Sequence, residues 1–203
     1  GIVGARRRLQ RQRPGQVERS RPHRRARPDR LRPAFAVDQR TVEIGSAGGE
    51  GPPEILYSAD EDRGALRVFL RALRRLPEDA EWTATIWLRD PAAVASPAQL
   101  PRRLRERVRL AGPADGSEAD HLARADIAVA ASTGVAPSSQ LVLRALGAGA
   151  VPVVANLPQY AELLDDGELG LLFDPRDAHA LADQLARLLA EPALRATFAE
   201  RAR

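Results

Sequence analysis

At 203 residues the chain can bury one good core, or one domain with an appendage. The absence of cysteine excludes a disulfide framework, a thiolate nucleophile and a cysteine metal site. No apolar run approaches the ~20 residues of a membrane-spanning helix, and the net charge of +4 conceals an asymmetry between the two ends of the chain.

Residues 1–40 carry 13 arginines against three acids, Glu18, Asp29 and Asp38, a net of +10. The remaining 163 residues carry 18 arginines against 24 acids, a net of −6. Residues 1–34 hold few large apolar side chains and show no 3.6 or 2.0 period, so a poorly packed extension is expected there. Three readings of this segment stay open: a solvated tail, a sequence artefact of GC-rich DNA, or a basic arm for nucleic acid or anionic lipid. Without aromatic interleaving or a fold motif, nucleic acid is the weakest of them as a partner. His23, His121 and His179 lie far apart, so no metal site is expected. The chain begins at Gly1 and lacks methionine, as expected of a fragment or a processed product. No signal peptide is visible, and a cytoplasmic location, free or at the inner face of the membrane, is expected.

Residues 45–53 are rich in Gly and Pro and read as a linker, dividing the chain into an extension over 1–53 and an ordered domain over 54–203. Glu54-Ile55-Leu56-Tyr57 is the first predicted strand. A helix follows Arg63-Gly64, with Leu66, Phe69, Leu70, Leu73 and Leu76 on one face. Residues 82–88 read as a strand, 100–107 as a charged helix and 107–112 as a short strand ending in a loop. Ser117 or Asp115 caps the helix carrying His121 and Leu122, and 126–130 is another strand. A helix bearing Leu141, Leu143, Leu146 and Ala150 then precedes the buried strand at 151–155 and a ligand-facing loop. Asp177 caps a helix with Leu181, Leu185, Leu188 and Leu189, and Pro192 opens a last short one. This alternation predicts an α/β fold, a doubly wound parallel sheet of Rossmann-like form that binds ligands at the carboxyl ends of its strands.

The run from Ala136 to Ala155, followed by Ala161-Glu162-Leu163-Leu164-Asp165-Asp166-Gly167-Glu168-Leu169-Gly170-Leu171-Leu172, resembles the C-terminal domain of the group 1 (family 4) retaining glycosyltransferases. That family reads approximately E-P-F-G-L-V-L-L-E-A-M-A-A-G-x-P-V-V-A and then P-E-L-V-x-D-G-x-x-G-L-L-V-x-P here. The scaffold agrees over about residues 55–203, but both glutamates of the E-x7-E signature fall on other residues, Ala136 and Arg144. The resemblance implies one half of a GT-B architecture, with the acceptor-binding domain missing or upstream. It also implies a nucleotide-sugar substrate, an acceptor of unstated kind, transfer of a hexose with retention of configuration, and neither cofactor nor metal.

By the same resemblance the donor diphosphate lies at the helix start formed by Ser138, Ser139, Gln140 and Leu141. Their backbone N–H groups are the unpaired donors of a first helical turn. Ser138 serves equally as a helix cap, which uses the same geometry. Arg63 takes the place of the family's phosphate-binding lysine, beside Asp60, Glu61 and Asp62, or is a solvated residue at a helix start. Leu110, Ala111 and Gly112 form the loop where a nucleobase would lie. Arg144 either clamps phosphate or faces solvent, and Glu162, at the family's P-E-L position, is structural. No catalytic residue can be named, so a non-catalytic domain binding a nucleotide, a sugar phosphate or a partner protein stands beside the transferase reading.

Overall fold

The computed structural model describes residues 51–58, 63–90 and 100–203. The arginine-rich extension, Asp60, Glu61 and Asp62 lie outside the described residues. Six strands form one all-parallel sheet in the order β3-β2-β1-β4-β5-β6: β1 Glu54–Ser58, β2 Thr83–Trp87, β3 Val108–Ala111, β4 Ile127–Ala130, β5 Val151–Ala155 and β6 Leu171–Phe173. The chain winds outward from β1 to β3, returns beside β1 at β4, and winds outward again. The strand order therefore reverses between β1 and β4, where an open α/β sheet leaves a crevice at its carboxyl edge.

Strand side chains alternate between two cores, as the period of two requires. Ile55, Tyr57, Ala84, Ile86, Ile127, Val129 and Val153 face one side, covered by α1 Arg63–Leu73, α6 Ala178–Ala190 and α7 Pro192–Arg201. Leu56, Trp87, Ala128, Ala130 and Val154 face the other, covered by α3 Glu118–Leu122, α4 Ser139–Ala148 and α5 Pro158–Leu163. Tyr57 stacks on Phe69 of α1 with centroids 4.9 Å apart, which ties the central strand to its first crossover helix.

Several elements depart from the sequence expectation. In α1 the buried stripe is Ala65, Val68, Phe69, Ala72, Leu73 and, just beyond the helix, Leu76, while Leu66 and Leu70 are only half-buried. Close packing on a sheet favours small residues at the contact, so the stripe is set by alanine and valine as much as by leucine. The same holds in α4, where Leu141, Val142 and Ala145 are buried and Leu143 and Leu146 half-buried. The charged helix over 100–107 shrinks to a single turn, α2 Arg102–Arg105, whose one buried side chain is Leu104. One apolar anchor is too little to hold a longer helix on the sheet. Residues after β5, expected as a loop, contain both α5 and the edge strand β6.

Candidate functional site

α4 begins where the loop from β4 ends, so its N-terminus lies at the carboxyl edge of the sheet, beside the β1–β4 reversal. Ser138 is the N-cap, with its Oγ accepting from the Leu141 amide at 3.4 Å. The Ser138 carbonyl accepts from the same amide at 3.1 Å. The Ser138 amide donates to the Tyr160 hydroxyl at 2.7 Å, and Tyr160 is fully buried in α5. Two of the four amides expected to be open, those of Ser138 and Leu141, are therefore engaged. The amides of Ser139 and Gln140 have no acceptor among the described residues, and they open a ten-residue helix whose dipole favours an anion.

At its far end α4 stops in a Schellman arrangement. Gly149, at φ +82°, takes the left-handed position, and the Ala150 amide donates to the Ala145 carbonyl at 3.0 Å. Capping at both ends fixes the register that sets Arg144 one and a half turns from the N-terminus. Arg144 does not face solvent alone, because one edge of its guanidinium is taken by a carboxylate. Its Nη1 donates to Oε2 of Glu118, whose Oε1 accepts from the hydroxyl of Ser58, the last residue of β1. The Glu118 side chain is 8% exposed and the Arg144 side chain 50%. Both oxygens of this nearly buried carboxylate therefore have a hydrogen-bond partner. Sequence reading missed Glu118 and Ser58, because an acid in the first turn of a helix looks like an ordinary dipole partner.

Arg63 opens α1 directly after the β1 carboxyl end, on the same edge of the sheet. In the loop at 110–112, where a nucleobase is expected, Leu110 is half-buried and Ala111 and Gly112 are buried. The Gly112 amide donates to Oδ2 of Asp115 at 3.0 Å, and its carbonyl accepts from the Asp115 amide at 2.8 Å. The Trp87 indole donates to the Gly116 carbonyl at 3.1 Å, so this loop is pinned over the end of β2. A base placed here meets Gly112 with its polar groups already satisfied. Ala136 is exposed in the loop between β4 and α4, with no carboxylate at that position. Glu162 is exposed on α5.

Ser117 is the cap of α3, with its Oγ accepting from the Asp120 amide at 3.2 Å and Oδ2 of Asp120 accepting from the Ser117 amide at 2.8 Å. The Ser117 hydroxyl and amide hold the Asp120 carboxyl below its ordinary range. Behind the site, His121 is fully buried. Its Nδ1 lies 3.0 Å from Nη2 of Arg124 and 3.4 Å from Nη2 of Arg109. Guanidinium groups only donate, so Nδ1 accepts and the proton sits on Nε2, which is buried without a partner among the described residues. Burial first, then the charges of Arg124 and Arg109, push the imidazole below its ordinary pKa, against the opposing pull of Glu54 and Asp115. Among the described residues no cluster of three or more His, Asp or Glu side chains forms a metal site, and no helix is long and apolar enough to cross a membrane.

The family model for group 1 glycosyl transferases matches residues 52–191. No curated protein matches the chain. Among solved structures, Anabaena HepE in complex with UDP and glucose superimposes with a TM-score of 0.61 at 19% identity, covering 74% of this chain and 42% of that one. WaaG, a glycosyltransferase involved in lipopolysaccharide biosynthesis, gives 0.60 at 22%, covering 79% and 43%. Sucrose-phosphate synthase from Thermosynechococcus elongatus gives 0.61 at 21%, covering 76% and 40%. The chain thus spans about two-fifths of the length of these structures.

Proposed function

Because the chain belongs to the group 1 glycosyl transferases, we propose that residues 54–203 form the donor half of a GT-B enzyme, binding a nucleotide diphosphate sugar for hexosyl transfer with retention. The observation that carries this reading is the pair of open amides, Ser139 and Gln140, at the N-terminus of α4 on the carboxyl edge where the strand order reverses. Such a terminus is suited to a phosphoryl group. Arg63, the residue that opens α1 on the same edge, stands in the sequence where the resemblance sets the family's phosphate-binding lysine. The HepE structure, which holds UDP and glucose on a related fold, supports the choice of ligand class.

A second reading, a domain that binds the nucleotide without catalysing transfer, is favoured by two positions. Ala136 supplies no polar group, and Arg144 is paired with Glu118 where the resemblance expects an acceptor. Both readings share the donor site, and calorimetric titration with UDP, GDP and ADP tests it. The expected result is saturable binding of one of the three, weakened by Arg63→Ala and by Ser139→Pro. Proline at the first helical position keeps the helix and removes one of the two open amides. No binding by a folded protein would overturn the donor-site assignment. Binding without turnover, in the presence of a complete acceptor domain, would select the second reading.

A further inference from the structure

The carboxyl edge of the sheet holds a charged group that no sequence motif announces, assembled from three elements. β1 contributes the fully buried Ser58, α3 the nearly buried Glu118, and α4 the half-exposed Arg144. Both carboxylate oxygens are engaged, one by the Ser58 hydroxyl and the other by Nη1 of Arg144. A guanidinium has five N–H donors. Among the described residues only Glu118 takes one of those on Arg144, so the outer edge of the group is open while its inner edge is fixed.

We propose that Glu118 is a specificity-determining residue that acts through Arg144: it positions the guanidinium to meet a phosphoryl group of the ligand and partly offsets its charge, so that a diphosphate is held loosely. This rests on the nucleotide-binding reading above. A phosphoryl oxygen on the outer N–H groups lies roughly 6 to 7 Å from the carboxylate, from the span of a guanidinium plus two hydrogen bonds. At that distance, with the solvent screening of a half-exposed site, one opposing charge changes affinity about threefold to tenfold. Loose holding suits a site from which a diphosphate must leave. Gln at position 118 keeps the shape and an acceptor oxygen but removes the charge, so positioning is largely preserved while the offset is lost.

The test is titration of the full chain with inorganic pyrophosphate, UDP and uridine, for wild type, Glu118→Gln and Arg144→Gln, with folding checked by circular dichroism. Pyrophosphate held by the arginine-rich residues 1–40 is common to all three proteins and cancels from the comparison. Glu118→Gln should tighten pyrophosphate and UDP about threefold to tenfold, with a steeper salt dependence, and leave uridine unchanged. Arg144→Gln should weaken both phosphorylated probes by a similar factor. Unchanged or weaker pyrophosphate binding by folded Glu118→Gln overturns the proposal. If that variant does not fold, pyrophosphate binding unaltered in Arg144→Gln overturns it instead. Tightened pyrophosphate with no binding of UDP would leave this inference standing and remove the nucleotide reading, so the two fail separately.

Discussion

His121 shows how a single residue links the sheet to the site. It is held on Nδ1 by two arginines, one from β3 and one following α3, so the imidazole acts as a neutral acceptor between them. Its pKa is lowered in the folded state, chiefly by burial, whereas the unfolded chain titrates near the ordinary value of about 6.5. As pH falls through that value the unfolded state binds the proton first, so stability declines with falling pH. The decline begins near pH 6.5 and continues down to the lower folded pKa. Urea unfolding between about pH 7.5 and about pH 5 should show this slope in wild type and a shallower one in His121→Gln, which keeps an acceptor and does not titrate. Equal slopes would mean that His121 is not the group responsible.

At the scale of elements, α4, β5 and β6 follow one another along one half of the sheet, and two glycines there respond oppositely to a methyl group. Pro152 sits inside β5, where a proline removes a ladder donor. Pairing with β6 begins one residue later, at Val153 and Leu171, and Gly170 lets the chain pass against the Pro152 carbonyl. A Cβ at Gly170 would lie 2.5 Å from that oxygen, so backbone must shift, whereas a Cβ at Gly147 in α4 meets nothing within 4 Å. Gly170→Ala should cost about 1 to 3 kcal/mol by overpacking, and Gly147→Ala should stabilise by about 0.5 to 1 kcal/mol through helix propensity. Thermal unfolding checks both signs, and a stabilised Gly170→Ala would show that β6 is packed differently. The sequence allowed the parallel sheet, the strand at 151–155 and the caps at Ser117, Ser138 and Asp177 to be read, because period and capping chemistry are local. It hid α5 and β6, short elements with weak periods, and the partner of Arg144. Glu118 lies 26 residues from Arg144 and 60 from Ser58, and only the crossover of α3 onto the sheet brings the three together.

For the whole molecule, the charges of the two parts of the chain act on an anion in opposite directions. Residues 41–203 are net −6, so at long range the domain bearing the site repels the anionic ligand it is proposed to bind, while residues 1–40, at net +10, attract it. The proposed contacts at Arg144 and the open amides act at direct range, shorter than the Debye length of about 8 to 10 Å at ordinary salt. Screening therefore removes the long-range terms first. UDP affinity of the full chain should fall as salt rises from about 50 mM to about 0.3 M. A folded chain lacking residues 1–40 should show a flat or slightly rising affinity over the same range, because its repulsive background is what salt removes. A single-stranded oligonucleotide should lose binding on the same truncation, as a contact made only by the arginine-rich segment would. Equal salt slopes for UDP in the two proteins would place control of the ligand in the guanidiniums at the carboxyl edge. The +10 segment would then have no part in donor binding, and the charge asymmetry would bear on polyanions alone.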